Sequence, residues 1–130
     1  MFVVDTDVMV DVLRRYPPAV EWLNALGRQV FIIPGLVVME LLQGCRNRAE
    51  TDRLLEWISD HEIRWPTERD CHRALADFAF RRLNRKLAIP DALIAECAVG
   101  LGLPLYTFNV KHFSGIPGLR TIQPYRKQAR

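Results

Sequence analysis

Short β-branched runs that alternate with helical stretches are the feature that most limits what this chain can fold into. FVVD (residues 2 to 5), QVFII (29 to 33), HEIRW (61 to 65), PLYTFN (104 to 109) and LRTIQPY (119 to 125) read as strands. Between them, Thr6 or Asp7 can cap a helix carrying Val8, Val12 and Leu13, which Tyr16-Pro17-Pro18 stops. A second helix with Val20, Leu23 and Leu26 on one face ends at Gly27, and a third runs from about Leu36 to Leu42 after Pro34-Gly35. Residues 49–59 and 67–86, then IPDALIAECAVGLG, complete the helices, the last ending at Gly100 or Gly102. Strands joined by helical crossovers imply an α/β fold: a small, mainly parallel sheet flanked by helices on both faces. Ligands of such sheets bind beyond the carboxyl ends of the strands, and Asp5 closes the first run.

With 130 residues, 49% of them hydrophobic, the chain suits one domain, residues 1–125, followed by a short basic tail, 126–130, expected to be mobile. The formal net charge is +3, and of 18 basic residues only Lys86, Lys111 and Lys127 are lysines. Arginine suits bidentate contacts to phosphate, although so small an excess is also ordinary on a protein surface. Cys45, Cys71 and Cys97 form no CxxC pair and have no histidine at a zinc spacing, so reduced, buried thiols of a cytoplasmic protein are expected. No apolar run approaches the ~18 residues of a membrane span, and no signal peptide or membrane association is expected.

Three acids stand in apolar settings. Glu40 lies inside GLVVMELL, where an unpaired charge is costly, and it needs either an arginine such as Arg46 or a cation. Asp91 is the first polar group of PDALIAECAV, a position that also suits helix capping. Together with Asp5, each opens or punctuates an apolar element. Clustered carboxylates repel unless a cation joins them, and oxygen-only donors favour Mg²⁺ or Mn²⁺. Two such ions can activate water and stabilise the leaving oxygen of a phosphodiester. Asp7 is a fourth acid, at a position where an N-cap is expected, and Asp11 is expected to be solvated. Arg81, Arg82, Arg85 and Lys86 fall into two i,i+4 rows just before Asp91, a basic strip suited either to a solvated face or to an RNA backbone. Arg46 and Arg48 extend that track, while Trp22, Trp57 and Trp65 read as core or partner-groove residues.

VVDTDV, VMELLQG, IPDALIAECAVGLGLPLYTFNVKHF and GLRTI together resemble the PIN-domain family, and within it the small VapC-type toxins of toxin–antitoxin pairs. The resemblance covers nearly the whole chain and is most specific from Pro90 to Phe113. It implies a PIN-like fold and a metal-dependent endoribonuclease that leaves 5′-phosphate and 3′-hydroxyl ends. It also implies an RNA substrate, an antitoxin partner and a homodimer. Carried over residue by residue, Asp5, Glu40 and Asp91 match the family's three central acids and are expected to hold one or two Mg²⁺ or Mn²⁺ ions. Asn109 stands where Asp is frequent and joins the catalytic set as a neutral oxygen or a group that orients water. His112 stands where other members place Asp or Glu, and it remains a secondary candidate with Asp7 and Thr107, the last able to hydrogen-bond a carboxylate. Three other readings compete. A receiver-like signalling domain needs an acceptor Asp after a middle strand, which QVFIIPG lacks. A silent RNA- or antitoxin-binding module would not need all three acids, and a housekeeping PIN nuclease of RNA maturation has the same chemistry.

Overall fold

In a computed structural model, which describes residues 1–84 and 86–127, the chain builds one five-stranded sheet. The elements run β1 (Phe2–Val4), α1 (Thr6–Leu13), α2 (Pro17–Ala25), β2 (Phe31–Pro34), α3 (Gly35–Gln43), α4 (Arg48–Ile58) and β3 (Glu62–Arg64). Then come α5 (Glu68–Arg81), α6 (Ile89–Leu101), β4 (Leu105–Tyr106), α7 (Val110–Phe113) and β5 (Thr121–Ile122). The strand order is β3-β2-β1-β4-β5, and every pairing is parallel. The first half of the chain therefore builds outward from β1 to β3, and the crossover through α5 and α6 returns it to the opposite side of β1. That reversal makes the junction of β1 and β4 the switch point of the sheet, where a crevice opens at the carboxyl ends.

Every residue of β1 and β2 is buried, so both faces of the central strands are covered. On one face Phe2 stacks on Tyr106 at 4.0 Å between ring centres, with Phe31 and Trp22 each 5.8 Å from Phe2. Such aromatic pairs add about 0.5–1.5 kcal/mol beyond the area they bury. Gly102 ends α6 at φ +68, a left-handed cap that a residue with a Cβ resists. Among the described residues no helix is long and apolar enough to cross a membrane. The three cysteines are free thiols, but only Cys97 is buried; Cys71 is exposed, because it sits on the outer side of α5.

The strands are shorter than the apolar runs that announce them. Gln29 and Val30 lie outside β2, since β1 supplies partners only from Phe2, opposite Phe31. The helix expected over 67–86 ends at Arg81, and the chain then turns, passing Lys86 at φ +54, to bury Leu87 before α6. Arg82 and Lys86 therefore do not form a helical row, and Arg85 of the other row lies outside the described residues.

The α5–α6 contact buries charge. Glu96 is 2% exposed and accepts from Arg73 Nε at 2.9 Å, while Arg73 also bridges to Asp70 at 2.5 Å. Asp77, one turn on, keeps a buried oxygen, Oδ2, without a donor. Burial first pushes Glu96 up to about 7, the bond from Arg73 opposes this, and the neighbouring Asp77 adds to the rise. Removing Arg73 leaves Glu96 buried without a cation. Arg73→Ala is expected to cost roughly 2–4 kcal/mol in urea unfolding at pH 8, and less at pH 5.5, where Glu96 is neutral.

Candidate active site

The strand β1 stops at Val4 because Asp5 turns the chain into α1. Asp5 is the N-cap of that helix, its Oδ1 accepting from Thr6 N at 2.8 Å, and it is only 3% exposed. Its second oxygen accepts from Thr107 Oγ1 at 2.7 Å, across the switch point. Thr107 is fully buried at the end of β4, and its hydroxyl oxygen accepts from Asn109 N at 3.0 Å. A carboxyl so placed is expensive. Burial, then the neighbouring Asp7, push Asp5 up to about 7; the bonds from Thr107 and Thr6 oppose this, and the charge of Asp91 adds to it.

Asp91 reaches this point from the first turn of α6, where Pro90 suits the helix start and Asp91 Oδ2 accepts from Ala88 N at 3.1 Å. It therefore caps its helix, and its charge reaches Asp5 more weakly than that of Asp7 does. Glu40 arrives differently. Arg46 pairs with Glu50 at 2.9 Å, and Glu40 Oε1 instead accepts from Thr6 Oγ1 at 2.8 Å. Thr6 thus holds Asp5 with its N–H and Glu40 with its hydroxyl, a junction the sequence reading missed: a Thr between two acids looks like a cap, and its partner is 34 residues away. Among the described residues no three acid, histidine or cysteine side chains already converge as a closed ligand set. The structure ties Glu40 to the Asp5 turn through Thr6, and it links Asp91 to Asp5 only through the weaker, through-space effect of its charge.

The secondary candidates separate. Asp7 does not cap α1 in the manner expected. Its Oδ1 accepts from Val8 N at 2.8 Å and its Oδ2 from Phe108 N at 2.9 Å, which latches the segment after β4 onto the start of α1. Burial raises its carboxyl, and the two N–H bonds oppose the shift. Asn109 is exposed at the N-cap of α7, near Asp5 through Thr107. His112 is half-buried on α7, and its ring makes no hydrogen bond or ion pair with the described residues. Asp11 is not simply solvated: it accepts from Tyr125 OH at 2.8 Å and pairs with Lys127 at 3.3 Å. That contact ties the end of the described chain to α1; residues 128–130 of the expected tail lie outside the described residues.

A family model described as a PIN domain matches residues 2–118. The chain belongs to the PIN domain family. Ribonuclease VapC10 of Mycobacterium tuberculosis is 30% identical over 115 residues, covering 87% of this chain and 86% of its own length. A chain from a toxin–antitoxin complex of Klebsiella pneumoniae has TM-score 0.78 at 28% identity, with 98% of this chain and all of that one covered. A chain of DNA-bound VapBC from Salmonella typhimurium has TM-score 0.73 at 25% identity, covering 93% of this chain and 96% of its own. The resemblance to VapC-type members read from the motifs holds across the fold.

Within this PIN domain the basic strip is dispersed. Arg81 is largely buried, donating to the Gly115 carbonyl and standing 3.7 Å from Asp77, so it fastens α5 to the loop after α7. Arg82 and Lys86 are exposed, and Arg85 lies outside the described residues.

The high Asp5 value has a thermodynamic signature. The folded chain holds this proton to about pH 7, whereas an unperturbed carboxyl releases it near 3.8, so the unfolded state binds fewer protons in between and stability falls as pH rises through that window. Asp5→Asn keeps the shape without the charge. In EDTA it is expected to be more stable than the wild type at pH 8, by up to roughly 4 kcal/mol, and nearly equal to it at pH 4 in urea titrations.

Proposed function

We propose that this PIN domain is a metal-dependent endoribonuclease and the toxin of a toxin–antitoxin pair. The observation that carries the reading is the buried Asp5 at the switch point of the sheet, with Glu40 bound to the same junction through Thr6 and the charge of Asp91 within reach. The printed name of the 30%-identical relative and the complexes of the structural neighbours support it.

The donor set suits a divalent ion. It offers hard oxygens alone, and the Asp5 proton, retained to about pH 7, marks a place where negative charge lacks a counterpart. Asp5, Glu40 and Asp91 would hold one or two Mg²⁺ or Mn²⁺ ions. Such an ion, when bound, supplies the activation of water and the stabilisation of the leaving oxygen. The remaining work falls to the chain. Thr107 and Thr6 fix the two oxygens of Asp5, and Ala88 N fixes one of Asp91. Asn109, held by its backbone on Thr107, presents an uncharged amide where a further acid would add repulsion against the phosphate. Arg82 and Lys86, exposed before α6, draw in an RNA backbone that the carboxylates alone would repel, and Arg85 belongs to the same proposal.

An antitoxin is the proposed protein partner and a homodimer the proposed assembly, since Leu75, Phe80 and Leu83 stand 65%, 74% and 75% exposed in and just after α5. An RNA substrate and free thiols fit the cytoplasm.

Purified protein freed of antitoxin is expected to cut structured RNA with Mg²⁺ or Mn²⁺ and to stop in excess EDTA. Cleavage that persists in EDTA would remove the metal mechanism. Wild type should also gain about 2.7 kcal/mol of stability when the ion is at 100 times its dissociation constant, and Asp91→Asn much less. Thr6→Val, which frees Glu40, is expected to weaken Mn²⁺ binding several-fold in calorimetry, while Thr6→Ser restores it.

A further inference from the structure

Trp65 departs from the core role expected of it. It is 58% exposed just past the end of β3. A Cβ built on Gly35 would stand 2.4, 2.4 and 2.5 Å from Cδ2, Cε2 and Cε3 of its indole. A point equidistant from three consecutive atoms of a six-membered ring lies over the centre of that ring. The indole therefore rests flat on the bare backbone of Gly35, with its opposite side turned outward. Only glycine permits this approach. Beside the ring opens a cavity of about 500 Å³ between Arg64, Trp65, Arg69 and Arg73 on one side and Cys97 and Gly100, in the last turns of α6, on the other. Arg73 is committed to Asp70 and Glu96, and Arg64 pairs with the half-buried Glu62 at 2.7 Å. Arg69 is exposed and makes no ion pair with the described residues.

The register relates this platform to the acids. Phe2 pairs with Phe31 and Pro34 with Arg64, so continuing the β1–β2 register sets Asp5, Pro34 and Arg64 in one row across the carboxyl edge. At about 4.8 Å per strand, the backbone of Arg64 is about 10 Å from that of Asp5.

We propose that Trp65, seated on Gly35 and flanked by Arg64 and Arg69, is a base-stacking platform that binds an unpaired nucleotide of single-stranded RNA, on the same carboxyl edge as Asp5 but away from the Asp91 end of α6. This rests on the ribonuclease reading and adds to it a preference for unstacked RNA. An indole with one free side accepts any base that is not already stacked in a duplex, and the arginines meet the adjoining phosphates.

The test is equilibrium binding, in EDTA so that no strand is cut, of a fluorescein-labelled single-stranded RNA decamer and of a duplex of the same length. Trp65→Ala is expected to weaken the single strand roughly 5- to 100-fold and the duplex little, with Trp65→Phe keeping most of the affinity. Arg69→Ala should lower the magnitude of the log–log salt slope by about 0.7. Thermal melts establish that each variant is folded. Equal loss for single strand and duplex would overturn the proposal, as would Trp65→Ala binding the decamer like wild type. If that variant keeps RNA affinity but changes the sedimentation coefficient, the ring is a contact between protein chains instead. Wild type that cuts RNA alongside an unaffected Trp65→Ala sinks the platform alone, whereas wild type that cuts no RNA with Mg²⁺ or Mn²⁺ sinks the reading beneath it.

Discussion

The Asp5 carboxyl is the constraint around which the carboxyl edge of the sheet is arranged. A 3%-exposed acid next to Asp7 and within reach of the charge of Asp91 is unfavourable where it stands, and two segments answer for it. Thr6 donates from the start of α1, Thr107 from the end of β4, and Asp7 holds the Phe108 N–H so that the Thr107 turn stays in place. Each bond also fixes backbone: the junction of β1 with β4 is locked by the same contacts that orient the acid. Structure and site are thus one network here, with the cost of burying charge spread over bonds that would be needed to close the sheet anyway.

A second buried network sits between α5 and α6, where Arg73 serves Asp70 and Glu96 and Arg81 serves Asp77 and the Gly115 carbonyl. It has a positional consequence. The N-terminus of α6 carries Asp91, so whatever sets the packing of α6 against α5 also sets where Asp91 stands relative to Asp5. Arg81 and Arg73 belong to this scaffold. Arg82, Lys86 and Arg69 are outside it and exposed.

Tryptophan makes the same point about context. Trp22 packs with Phe2, Tyr106 and Tyr125, and Trp57 lies 4.2 Å from the His61 ring, whereas Trp65 faces solvent over Gly35. Nothing in the residues flanking Trp65 distinguishes it from the other two. Its exposure follows from β3 being an edge strand and from a glycine 30 positions earlier, at the start of α3.

Periodicity and residue type were enough to establish the α/β order, the parallel sheet and the placement of Asp5 at a strand end, because β-branched runs and amphipathic spacings are local properties of the chain. The motifs likewise pointed to the PIN family and to Asp5, Glu40 and Asp91 as a set. Distant partners were beyond reach. That Glu40 answers to Thr6 rather than Arg46, that Thr107 answers to Asp5, that Glu96 is paired at all, and that the helix of basic residues breaks at Arg81 to bury Leu87 are outcomes of packing. A hydrogen-bonding group in sequence declares only that it needs a partner, and the tertiary fold decides which of many equivalent partners comes within 3 Å.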